Sequence, residues 1–130
     1  MKTKLILTIL GAYNALMALL MFVLPEQMGM QLIGETKALE NTELLEMATM
    51  FHYGLAPALL MIGLLLIFAR GCALEMAKRM LLAYIIATAS LLFVMFGVFS
   101  FHPVIQFSPD LALPDILALG LATFGYLKGK

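Results

Sequence analysis

The chain has 130 residues, of which 63% are hydrophobic and only 12% charged, with a mean hydropathy of +1.02. A water-soluble domain carries about a quarter charged residues, so half the usual polar covering is missing and a soluble globular domain is excluded. The formal net charge is zero, and no basic run offers a footprint for nucleic acid.

Four apolar stretches, 4–24, 46–69, 78–101 and 109–127, can be drawn along the chain. Each approaches the roughly 20 residues that a helix needs to cross a bilayer core. Together they predict an all-α integral membrane protein, a four-helix antiparallel bundle forming one domain over 1–130. The first stretch follows Lys2 and Lys4, as a signal peptide would. However, the run from Leu5 to Leu24 exceeds an apolar region of roughly 7–15 residues, and no small-residue cleavage site follows it. It is therefore expected to be a retained first span.

This span ends at Pro25, and Glu26–Ile33 mixes apolar and polar residues in the manner of a short interfacial helix capped by Gly34. Residues 35–45 are the most polar part of the chain and form the expected outer loop. Asn41 or Thr42 can cap the second span, with Glu43 and Glu46 in its first turns, where the helix dipole favours anions. Arg70-Gly71-Cys72 makes a tight turn, and its lone cysteine has no disulfide partner. Glu75 and Arg79 are spaced for a pair on one helix face. His102-Pro103 closes the third span. Ser108-Pro109-Asp110 starts the fourth, with Ser108 as cap.

Alternating the connecting segments across a bilayer sorts the charges. Lys2, Lys4, Arg70, Glu75, Lys78, Arg79, Lys128 and Lys130 fall on one side, seven cations against one anion, a net of +6. Glu26, Glu35, Lys37, Glu40, Glu43, Glu46, Asp110 and Asp115 fall on the other, seven anions against one cation, a net of −6. Short loops rich in Lys and Arg stay in the cytoplasm, so both termini are expected there.

Small residues mark the faces where membrane helices approach closely. These are Gly11, Ala15 and Ala18, with Asn14 beside them, on the first span, and Ala56 and Gly63 on the second. Ala83, Ala87, Ser90 and Gly97 mark the third, and Ala118, Ala122 and Gly125 the fourth. His52 shares the Ala56 face and Asp115 shares the Ala118 face. An ionisable group inside a membrane bundle marks a functional site by default. His52, Asp115, Glu46 and His102 are accordingly the candidate ligand-binding residues, at the outer end of the bundle. The competing reading places His52 and Asp115 as hydrated helix ends at headgroup level. Pro57 frees the Tyr53 carbonyl beside His52, which a polar pocket or a local backbone adjustment would satisfy.

Met47, Met50 and His52 carry soft donors of the kind that suit copper(I), although methionine also serves as a flexible filler of apolar cores. A haem held by His52 and His102 is a second cofactor alternative, and no cofactor is the default. No hydrolase, transferase or phosphate-loop motif occurs in the chain. Asn14, Thr88, Ser90 and Asp115 are the polar side chains that a narrow proton or ion path would use. Serine and threonine in a span more often bond their own helix.

A first span ending in Pro25-Glu26 precedes a polar loop. LAPALLMIGLLLIFAR then leads into a basic turn, and a fourth helix follows a proline-bearing loop. In this pattern the chain resembles the small four-helix bacterial inner-membrane proteins, DoxX-like in the broad sense. The resemblance implies an inner-membrane bundle near redox or quinone metabolism, but no arginine lies in the interior of a span (Arg79 stands at the foot of the third) and no site residue is carried over.

Two functions are expected to compete. The first is a non-enzymatic accessory or interaction protein, self-associating or bound to another membrane protein within the lipid bilayer. The alternative is a binding or transport module for a metal ion, a proton or a quinone-like lipophile. The charge pattern is testable by fusing a reporter after Lys130: a reporter that works only in the cytoplasm should be active, and activity of an export-dependent reporter alone would overturn the orientation.

Overall fold

The computed structural model describes residues 2–105 and 109–130. Its elements are α1 (Thr3–Val23), α2 (Pro25–Ile33), α3 (Glu35–Glu40), α4 (Thr42–Phe68), α5 (Leu74–Gly97) and α6 (Pro109–Lys128), with single 3-10 turns at Ala69–Gly71 and Phe99–Phe101. The described residues contain no strand. Among the described residues, four helices are long and apolar enough to cross a membrane: α1, α6, and α4 and α5 each with the turn that follows it.

Local chemistry sets the boundaries. Pro25 opens α2 because its missing N–H would be unsatisfied in a first turn anyway. Gly34 closes α2 at φ 89, a backbone region that side chains disfavour. The Asn41 side chain caps α4 by accepting from the Leu44 N–H at 3.1 Å. Glu75 and Arg79 pair at 2.7 Å on the first turns of α5. The capping role expected of Ser108 lies outside the described residues.

The helices depart from the apolar stretches in two places. The polar stretch 35–45 is helical for most of its length, as α3 and the first turn of α4. Gly34 and Asn41 punctuate it, and Ala38 buries itself against Ile33 and Ala48. α5 begins at Leu74, four residues before the apolar stretch, and gives way to a 3-10 turn after Gly97. Hydropathy reports where a helix could meet lipid, whereas the backbone ladder continues through Glu75, Lys78 and Arg79.

α1 is the central helix, in contact with α4, α5 and α6. Its closest approach is to α4. A β-carbon placed on Gly63 would lie 2.8 Å from the Ala15 nitrogen and 2.8 Å from the Gly11 oxygen, so the two backbones touch there. On its other side α1 meets α6 through Ile6, which with Leu81 of α5 fills the notch left by Gly125. The Thr3 N–H donates to the Lys130 carbonyl at 3.0 Å, joining the ends of α1 and α6. Ile6, Leu7, Leu10, Leu66, Leu81 and Ala122 form the core of this assembly. The outward surface is apolar: Val23, Phe68, Ile86, Phe93, Leu117 and Leu127 are all exposed, a face suited to lipid rather than water.

The small faces expected on α1, α4 and α6 are packed, with Gly11, Ala18, Ala56, Gly63, Ala118, Ala122 and Gly125 all buried. The small face expected on α5 is not. Ala83, Ala87, Ser90 and Gly97 are exposed, and α5 buries Ala77, Leu81, Tyr84 and Thr88 instead. The reason is complementarity: the bulky Leu81 enters the Gly125 notch, so the small residue of that interface belongs to α6.

Gly63→Leu should therefore force α1 and α4 apart and destabilise the protein by about 2 kcal/mol or more, in the range of core overpacking. A β-carbon at Gly97 would meet only the Phe93 ring, at 3.8 Å. Gly97→Leu should accordingly leave stability within about 0.5 kcal/mol. Unfolding in mixed detergent checks both.

Candidate functional site

The polar side chains of the bundle converge where α1, α5 and α6 meet. Asn14 is buried on α1. Its side-chain amide donates to the Leu10 carbonyl at 2.8 Å and to the Tyr84 hydroxyl at 3.1 Å. A carbonyl can only accept, so the first bond fixes the amide orientation and both amide hydrogens are engaged. Asn14 Oδ1 is left as an acceptor. It is not among the fully enclosed, unpartnered polar atoms of the described residues, which comprise Thr3 Oγ1 alone. Thr88, one turn beyond Tyr84 on α5, is a further partner of the Tyr84 oxygen.

Tyr13, the neighbour of Asn14 on α1, donates its hydroxyl to Asp115 Oδ1 at 3.1 Å. Asp115 stands six residues into α6, about 9 Å of helix from its first residue at 1.5 Å per residue. Its second oxygen, like Asn14 Oδ1, is neither bonded nor sealed off. The one ion pair among the described residues is Arg79–Glu75, so no cation sits against the Asp115 carboxyl.

Asn14, Tyr84, Thr88 and Asp115 line a cavity of about 380 Å³. Its walls are apolar and come from two helices: Leu59, Ile62, Leu65 and Leu66 from α4, and Met80, Ala83, Ala87 and Leu91 from α5. α4 and α5 thus face each other across a cleft, while each packs on α1. At one end the chain itself joins the helices through residues 69–73. At the other, Lys37 of α3 donates to the Pro103 and Val104 carbonyls beyond α5, and α3 rests on the first turns of α4. The flank between α4 and α5 is where the cavity meets the apolar surface.

The residues singled out in the sequence fall in different places. Asp115 lines the cleft. His52 is buried on α4, and its Nδ1 is 2.8 Å from the Ala48 carbonyl, which makes that nitrogen the N–H donor. Its neighbour Tyr53 stacks edge-on against Phe22, in the last turn of α1. Tyr13, the partner of Asp115, lies nine residues earlier on α1, roughly 13 Å of helix away, so α1 keeps the two sites apart. Glu46, Met47 and Met50 are exposed. At about 100° per residue, Met50 projects roughly 200° around α4 from His52, and the helix does not bring the two methionines to the imidazole. His102 is exposed, with Nδ1 accepting from the Val104 N–H at 3.2 Å within its own loop. His52, Glu46 and His102 do not line the cleft that holds Asp115. Among the described residues, no three His, Cys, Asp or Glu side chains are grouped to hold a metal ion.

Of the four polar residues suited to a path, Asn14, Thr88 and Asp115 do share one cavity. Ser90, on the same face of α5 as Ala83, is exposed outside the cavity lining and donates to the Ile86 carbonyl at 2.9 Å. The two tyrosines are hidden in the sequence by their apolar rings. The available signal is their position: Tyr13 adjoins Asn14, and Tyr84 lies one turn before Thr88. The chain matches no protein-family model, no curated protein and no solved structure.

A double-mutant cycle on Asn14→Leu and Tyr84→Phe, read by unfolding in mixed detergent, should give a coupling of about 0.6 kcal/mol and at most about 1.7, the range for hydrogen bonds between membrane helices. Zero coupling would show that the Asn14–Tyr84 bond contributes nothing to the fold.

Proposed function

We propose that this chain is a non-enzymatic inner-membrane protein with four antiparallel spans and both termini in the cytoplasm. In this reading it binds a small lipophilic molecule in the cleft between α4 and α5. The observation that carries the reading is the cleft itself: apolar walls from two helices, a floor holding Asn14, Tyr84, Thr88 and Asp115, and a volume of about 380 Å³. Small-molecule sites have this character, being concave and mostly apolar with a few convergent polar groups, and fall at about 300–1,000 Å³. The charge asymmetry of the connecting segments supports the orientation, and the resemblance to DoxX-like proteins supports the bacterial inner membrane.

The arrangement suits entry from the bilayer. A molecule dissolved among lipid tails meets Ala83, Ala87 and Leu91 on one wall and reaches the polar floor without crossing water.

A second reading, an accessory subunit that docks on another membrane helix, is favoured by one observation: Ala83, Ala87, Ser90 and Gly97 are exposed along α5. It predicts that Gly97→Leu, harmless to the fold, abolishes cross-linking of α5 to a neighbour in native membranes.

Native mass spectrometry separates the two. Protein released from its own membranes in mild detergent should carry a small-molecule adduct, and Ala87→Phe, which fills the cleft from an exposed position, should remove it. An adduct that survives in Ala87→Phe would place the ligand elsewhere, and its absence from the unsubstituted protein would leave the docking reading in front.

A further inference from the structure

The donor and acceptor arrangement at the cleft floor selects among lipophilic ligands. Resting on the binding reading above, we propose that the ligand is an amphipathic organic cation, an amine with an apolar body, whose ammonium group pairs with Asp115.

Few hydrogens at the floor are free. Both amide hydrogens of Asn14 are engaged, one on Leu10 and one on Tyr84. The Tyr13 hydroxyl is engaged on Asp115 Oδ1. What the floor still offers is chiefly acceptor capacity: Asn14 Oδ1 and the second oxygen of Asp115. A quinone or ketone head brings only acceptors and finds one hydroxyl hydrogen, in the Tyr84–Thr88 pair. An ammonium group has three donors and no acceptor, the complement of this floor.

Charge points the same way. A carboxylate within a membrane span is costly unless paired. Tyr13 supplies one neutral hydrogen bond, and no Lys, Arg or His of the described residues pairs with Asp115. A cationic ligand supplies the missing charge, in apolar surroundings where the attraction is strong. Tyr84 lines the same cleft, and an aromatic ring there further favours a cation. The walls then take the apolar body. No bond is made or broken, and the ligand leaves as it entered.

The test compares phenylbutylamine, cationic at neutral pH, with phenylbutanol, its neutral counterpart of similar size. Binding of each to the full chain in lipid nanodiscs is measured against empty nanodiscs. The amine should bind tighter than the alcohol by at least about tenfold, the size of one charge-assisted hydrogen bond. Asp115→Asn keeps the acceptor for Tyr13 and the side-chain shape, and should abolish that preference while the alcohol is unaffected. Ala87→Phe should abolish binding of both.

Equal binding of amine and alcohol, each lost in Ala87→Phe, overturns the cation while the cleft stands. An Asp115 that holds its own proton gives this result. Binding that is insensitive to Ala87→Phe, or no binding of either probe beyond empty nanodiscs, overturns the cation and the cleft together. Circular dichroism and gel filtration of each variant guard against misfolding as the cause of a loss.

Discussion

The close approach of α1 to α4 governs the rest of the bundle. At Gly11 and Gly63 nothing separates the backbones, because a single β-carbon on either would collide with the other helix. In lipid there is no hydrophobic drive to bring apolar helices together, so contact area won by small residues has to do it. That contact also sets the rotation of α1. With Gly11 seated on α4, Asn14 lies about 60° round the helix and Tyr13 about 200° round it, at 100° per residue. Asn14 is thereby turned to the edge where α4 and α5 diverge, and Tyr13 to the far side, where α6 brings Asp115. One close approach orients both halves of the polar floor.

A cleft results from the same constraint. α1 fills the middle and touches all three of the other long helices, and α4 and α5 are held off from each other across it. α5 is anchored from α6, where Leu81 and Ile6 enter the notch at Gly125. The anchoring draws Tyr84 and Thr88 inward and turns Ala83 and Ala87 toward the opening. The small residues of α5 thus give the cleft its width, because two larger side chains at those positions would occupy it.

Much of this is legible in the sequence, and the rest is not for identifiable reasons. Apolar length marks the four long helices, and Pro25, Gly34 and Asn41 mark their punctuation, because those residues act through their own backbone neighbours. The packed faces of α1, α4 and α6 are readable because glycine and alanine mark the receiving side of a contact. The face of α5 is not, because α5 contributes the inserting residue, Leu81, and a bulky aliphatic looks the same whether it meets a neighbour or lipid. The site is half visible. Asp115 and Asn14 stand out as polar residues in apolar spans, but their partners are phenols, which composition counts with the hydrophobes. His52 stands out for the same reason as Asp115, yet helix spacing gives only the angle of a residue on its own helix. The level at which it meets a neighbour depends on the Gly11–Gly63 register, which no single helix contains.

The short helices complete the logic of access. α2 lies along α4, with Gly29 close against Ala48 and Thr49. α3 follows, and Lys37 reaches from it to the carbonyls of Pro103 and Val104. Lys37 thereby ties α3 to the segment that follows α5. At their other ends α4 and α5 are joined directly by the turn at 69–73. Asp115, nearly two turns into α6, thus lines a cavity whose walls are apolar side chains of α4 and α5, so its carboxyl has few polar neighbours besides Tyr13, Asn14, Tyr84 and Thr88.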